Sequence, residues 1–167
     1  MDLKEAITTA IEFETQVRGL YRSAMEKSAD PVGRHIFKVL ADEELKHLNY
    51  LESRLDELRR TGAITAEKLD TTLPSEQVIR ESISRLETRM KPKDKGGELQ
   101  ILGKALEVER DTTGFYRRMA QELSDEGQQI FARFVEIEEG HLAIVQEEID
   151  YLSKTGYWFD IKEFDME

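Results

Sequence analysis

Glu44-Leu45-Lys46-His47 and Glu138-Glu139-Gly140-His141 are two copies of Glu-x-x-His set 94 residues apart. On a helix, residues i and i+3 point within about 60° of the same direction, so each Glu and its His can offer donors to a single ion. Each copy supplies half a metal site. Both interrupt apolar stripes: Ile36/Phe37, Leu40, Glu44, His47, Leu51, Leu55, Leu58 in the first, and Ile130/Phe131, Phe134, Glu138, His141, Val145, Ile149, Leu152 in the second. An ionisable side chain in such a stripe is costly unless something compensates its charge.

A helix with one carboxylate in its stripe precedes each of these segments. The first runs Leu3, Ile7, Ala10, Glu14, Val17, Tyr21, Met25, and the other Leu99, Leu102, Leu106, Glu109, Thr113, Tyr116, Ala120, Leu123. Glu14 precedes His47 by 33 positions and Glu109 precedes His141 by 32, while Tyr21 and Tyr116 each follow their Glu by seven. Both halves close on Thr-Gly, at Gly62 and Gly156. These correspondences predict an internally duplicated helical hairpin, hence a pseudo-two-fold bundle.

Four glutamates and two histidines meeting at mid-height in such a core would repel one another at low dielectric. Two divalent cations balance four carboxylates, leaving each ion one imidazole and at least two carboxylate oxygens. That donor set suits iron or manganese, with zinc also possible. Tyr21 and Tyr116 are either plain core aromatics or groups that orient a ligand carboxylate, because a buried hydroxyl needs a partner. Glu12, Glu43, Glu107, Glu136 and Glu139 fall beside the seams and are expected to face solvent, as is His35.

The elements that must position these residues are signalled by their ends. Asp30-Pro31 reads as an N-cap followed by proline at the first helical position, Ser124-Asp125 as a second cap, and Gly62 and Gly156 as left-handed stops. The prediction is an all-α antiparallel four-helix bundle, with helices over about 2–28, 31–61, 97–123 and 125–154 and a long crossover over 63–96. Pro74-Ser75-Glu76 and the apolar Val78, Ile79, Ile83, Leu86 and Met90 suggest a short amphipathic helix within the crossover, and residues 91–97 a hinge. The bundle is expected to span 1–156. The aromatic segment 157–167 is expected to pack on it or on a second subunit, which predicts a homodimer.

Composition narrows the class. The 167 residues suit one domain, and 35% charged residues with three prolines suit long amphipathic helices. With no cysteine, ligands are limited to His, carboxylate and water. A net charge of -11 argues against a nucleic-acid partner. No apolar run reaches the length of a membrane span, and the N-terminus reads as no signal peptide, so a cytoplasmic protein is expected.

The ligand order Glu, Glu-x-x-His, Glu, Glu-x-x-His resembles the ferritin-like di-iron carboxylate superfamily. The runs Glu14-Thr15-Gln16-Val17-Arg18-Gly19-Leu20-Tyr21 and Glu43-Glu44-Leu45-Lys46-His47-Leu48 are most similar to rubrerythrins, over nearly all the chain to about Tyr151. The resemblance implies that Glu14, Glu44, His47, Glu109, Glu138 and His141 hold two iron ions, and that hydrogen peroxide or dioxygen is reduced there. Rubrerythrins usually end in a cysteine-bound iron module; this cysteine-free sequence has none, which implies an external electron donor such as a rubredoxin-like protein. Peroxidase-type members also carry a further carboxylate one turn after the third-helix ligand, where this chain has Thr112. The alternatives are di-manganese, catalase-like peroxide disproportionation, non-enzymatic iron binding, storage or ferroxidase activity, and a purely structural bundle.

Overall fold

The computed structural model describes residues 1–71, 73–79 and 96–158. Four long helices, α1 (Leu3–Lys27), α2 (Pro31–Thr61), α3 (Gly96–Glu122) and α4 (Asp125–Thr155), lie within a residue or so of the expected spans. They form a ferritin-like bundle in which α1 packs on α2, α3 on α4, and α1 on α3.

Local chemistry sets the helix ends. Asp2 accepts from the Glu5 backbone N–H while the Glu5 side chain returns to Asp2, a capping box that opens α1. Asp30 caps α2 by accepting from Val32 and Gly33, with Pro31 supplying the preset φ of the first turn. Gly62 and Gly156 close α2 and α4 at φ 78° and 74°, a conformation that costs other residues a Cβ clash. Ser124 departs from expectation. It occupies the N-cap position of α4, yet its hydroxyl makes no capping bond. Asp125 sits at φ 51°, so the chain enters the helix from a different direction and the Ser124 side chain is carried off the exposed N–H groups.

The seams read from the sequence are the buried faces. Phe37 and Phe131, related by the 94-residue repeat, are both fully buried. Burying each such ring contributes about 1.5–3 kcal/mol. The core divides into two apolar clusters. One gathers Tyr21, Phe37, Leu40, Leu102 and Val145, and the other Ile7, Leu51, Tyr116, Phe131 and Phe134. The six chemical side chains lie in the same buried seams, with members of both clusters on either side of them in sequence.

The first part of the crossover straps the outside of the bundle. Arg54 Nη1 donates to the Thr65 carbonyl at 2.9 Å, Tyr50 donates to the Glu67 carbonyl, and Arg133 Nε donates to the Leu69 carbonyl at 2.9 Å. Gly140 is where the strap crosses α4: a Cβ there would stand 3.3 Å from the Pro74 carbonyl oxygen. Its counterpart in the first half is the exposed Lys46. The chain turns helical at 76–79, with Ile79 buried. The rest of the expected crossover helix, most of the hinge and the aromatic segment beyond Trp158 lie outside the described residues. Trp158 is buried edge-on against Phe37 and donates from its indole N–H to Glu98.

Candidate metal centre

One carboxylate from each of α1 and α3, and a Glu-x-x-His pair from each of α2 and α4, point into the bundle at one level. Glu14, Glu44, His47, Glu109, Glu138 and His141 are each 0–1% exposed. Their donor atoms fall into two groups of four, Glu14, Glu44, His47 and Glu138 in one, and Glu44, Glu109, Glu138 and His141 in the other, each within 4.8 Å. Glu44 and Glu138 belong to both. All six residues singled out by spacing are therefore brought together.

The imidazoles face the acids through Nδ1. His47 Nδ1 stands 3.2 Å from Glu138, and 3.4 Å from both Glu14 and Glu44. His141 Nδ1 stands 3.0 Å from Glu44 and 3.3 Å from Glu138. The rings stack with centroids 5.3 Å apart and planes 5° from parallel. Phe134 stands edge-on to His47 and forms an apolar wall.

Each tyrosine serves the opposite half. Tyr21 Oη donates to Glu109 Oε1 at 2.5 Å, and Tyr116 Oη donates to Glu14 Oε1 in the same way. Both rings are fully buried. Burial first, then the nearby glutamate charges, holds both phenols well above their usual pKa, so they stay protonated and donate. Tyr21→Phe or Tyr116→Phe removes the phenol donor from a buried carboxylate oxygen. Each is expected to cost about 1.5–3 kcal/mol, the range for hydrogen bonds to charged groups, readable as a lower urea midpoint. A midpoint unchanged in both variants would reduce the tyrosines to core filling.

Glu43, expected at the surface, is buried at 1% exposure and corrects that expectation. The strap covers it: Thr71 donates to its Oε1, and Lys46 Nζ lies 3.2 Å from its Oε2. It stands four residues before His47, one helical turn, and that spacing was the available signal. Glu148 is buried too, seven residues and two turns after His141. Thr112 is buried in the core with its hydroxyl turned back to the Val108 carbonyl, so no carboxylate occupies that position. Glu12, Glu107 and Glu136 are exposed as expected, and Glu139 is partly so.

The family model described as Rubrerythrin matches residues 5–149, most of the chain and all six buried residues. The chain belongs to the rubrerythrin family. No curated protein and no solved structure matched it. In this rubrerythrin-family chain five carboxylate oxygens of the cluster are buried with no hydrogen-bond partner: Oε2 of Glu14, Glu44 and Glu109, and both oxygens of Glu138. Buried acceptors left bare are costly, and a bound divalent ion would answer them. The donor set is compatible with a di-iron site.

Protons do the balancing in the metal-free rubrerythrin fold. Burial opposes charge on His47, and the carboxylates of Glu44 and Glu138 outweigh it, raising its pKa to about 10. Burial, then the charges of Glu138 and Glu44, holds Glu109 well above its usual value, whereas the two imidazoles outweigh burial at Glu138 and hold it well below. An imidazole with a higher pKa folded than unfolded stabilises fully below 6.5, and this contribution is lost as pH rises through about 10. Glu109 acts in the same direction, above 4.5. Chelated protein is accordingly expected to lose stability between pH 6.5 and 10, measured as a falling urea midpoint. A profile flat or rising over that interval would contradict the charged His47 contact.

Proposed function

We propose that this protein is a dinuclear iron oxidoreductase that reduces hydrogen peroxide or dioxygen, with electrons from an external, rubredoxin-like donor. The observation carrying this reading is the pair of four-residue groups sharing Glu44 and Glu138 inside a sealed core. Glu14 and His47 would hold one ion, Glu109 and His141 the other, and Glu44 and Glu138 both. Carboxylate-rich ligation with one imidazole per ion suits iron. A bound iron pair supplies two electrons to an oxygen–oxygen bond.

The chain's own residues set the conditions. Tyr21 and Tyr116 hold Glu109 and Glu14 in orientation by donating to one oxygen of each, leaving the other free for an ion. The walls formed by Phe134 and the flanking apolar clusters exclude bulky organic substrates and admit small oxidants. Reduction of peroxide, H2O2 + 2e− + 2H+ → 2H2O, takes its protons from solvent. In the cell we place this activity in oxidant defence in the cytoplasm. We propose one domain over 1–156, with the 157–167 segment packing on the bundle or a second copy in a homodimer.

The test is elemental analysis of untagged protein, followed by anaerobic reduction and stopped-flow mixing with peroxide or dioxygen. Two irons per chain, and reoxidation by peroxide faster than that of free ferrous ion, are expected. Reoxidation no faster than free ferrous ion would reject peroxide reduction. Manganese in place of iron would point to disproportionation, and many irons per chain in a large closed assembly to storage.

A further inference from the structure

The repeat relates each position in α2 to the one 94 residues later in α4, and it holds for Glu44 and Glu138, for His47 and His141, and for Phe37 and Phe131. It fails at Glu43, whose counterpart is Ile137. Both are buried, at 1% and 4% exposure. A carboxylate kept where the other half packs isoleucine costs stability unless its surroundings use it.

Three kinds of group surround it. Thr71 on the strap donates to Oε1, and Lys46 Nζ balances the charge from 3.2 Å. One Glu43 oxygen and a ring nitrogen of each of His47 and His141 also lie within 4.8 Å of one another, a span that one water bridges. Both imidazoles turn Nδ1 to the four glutamates, and the Nε2 of each is buried with no hydrogen-bond partner. The rings are stacked nearly parallel, so a single carboxylate is within reach of both.

We propose that Glu43 is a positioning residue for both imidazoles, accepting from Nε2–H of His47 and His141 directly or through one water, and that Thr71 fixes it from the crossover. This rests on the dinuclear reading above. An imidazole that donates from Nε2 presents the lone pair of Nδ1, so Glu43 sets the tautomer and ring angle that ligation needs. One carboxylate thus serves both halves, which accounts for Ile137 at the repeated position. It also ties the strap to the site, because Thr71 moves only with the crossover.

The experiment uses the full chain with Glu43→Ile, Glu43→Gln and Thr71→Val, titrated anaerobically with cobalt(II), whose visible bands report ligand geometry. Wild type is expected to take two ions. Glu43→Ile should still take two, with about 10–100-fold weaker affinity and altered bands, while its metal-free form melts no lower than wild type. Glu43→Gln keeps an acceptor carbonyl and should retain most of the affinity, and Thr71→Val should shift affinity in the same direction as isoleucine by less. If Glu43→Ile fails to fold, the isosteric glutamine and the Thr71 variant carry the test, with Thr71→Val weakening binding. Wild-type affinity and bands in both Glu43→Ile and Thr71→Val would overturn the positioning role. Loss of one ion in Glu43→Ile would overturn it too, by making Glu43 a ligand. A wild type that takes up no pair of ions would overturn the dinuclear reading itself, and this inference with it.

Discussion

Glu138→Ala is expected to reduce bound metal from two ions per chain to none, whereas Glu14→Ala and Glu109→Ala should each leave one. The difference follows from membership: Glu138, like Glu44, belongs to both four-residue groups, while Glu14 and Glu109 each belong to a single one. Removing a shared carboxylate strips each ion of a ligand and takes away the negative charge that keeps two cations close together. Removing an unshared one leaves the far group with all four donors. Glu138→Ala leaves His47 and His141 short of a carboxylate that faces them at 3.2 and 3.3 Å, so circular dichroism of the variant accompanies the count. Metal analysis of untagged variants, loaded with ferrous ion and desalted, gives the count. One ion retained by Glu138→Ala, or none by Glu14→Ala, would be incompatible with the two-group arrangement.

Chelation should have the largest effect on stability. An ion held at 100 times its dissociation constant adds about 2.7 kcal/mol, so two independent ions add about 5 kcal/mol. For a chain of this size each kcal/mol moves the melting temperature by about 2–4 °C, which makes the expected drop on chelation about 10–20 °C. The metal-free form should nevertheless remain folded at neutral pH, because protons on His47 and His141 take over part of the neutralisation. Scanning calorimetry of loaded and chelated protein measures the gap directly. Superimposable melts would mean that the acids are neutralised without metal.

The legible parts of the molecule were those encoded by period. Helix spans, the mid-height placement of Glu14 and Glu109, and the pairing of Glu44 with His47 follow from where apolar residues recur. The repeat then made two weak motifs into one set. What escaped depended on contacts that periodicity does not carry. Glu43 meets the strap as well as the imidazole of the neighbouring helix, and nothing in its own helix says that Thr71 folds back over that face. Ser124 has the right side chain for a cap, and the left-handed backbone of Asp125 defeats it. The sequence placed the tyrosines beside their own glutamates in register. It could not say that each donates to the glutamate of the other hairpin, because the rotation between halves is a property of their docking.

That exchange has a consequence for how the molecule is made. The polar contacts that complete the centre join residues 88, 97 and 102 positions apart, whereas each hairpin closes through neighbouring segments. Hairpins can therefore assemble early from local encounters, and the interior acids gain their donors only when the two mate. The mating step is then expected to limit the speed of refolding, and a loop-shortening deletion in the crossover should change that speed while leaving hairpin formation alone, as pulse-labelled amide exchange would register. A half-molecule in transit would show its carboxylates to water, and metal capture would be the last event of its biogenesis.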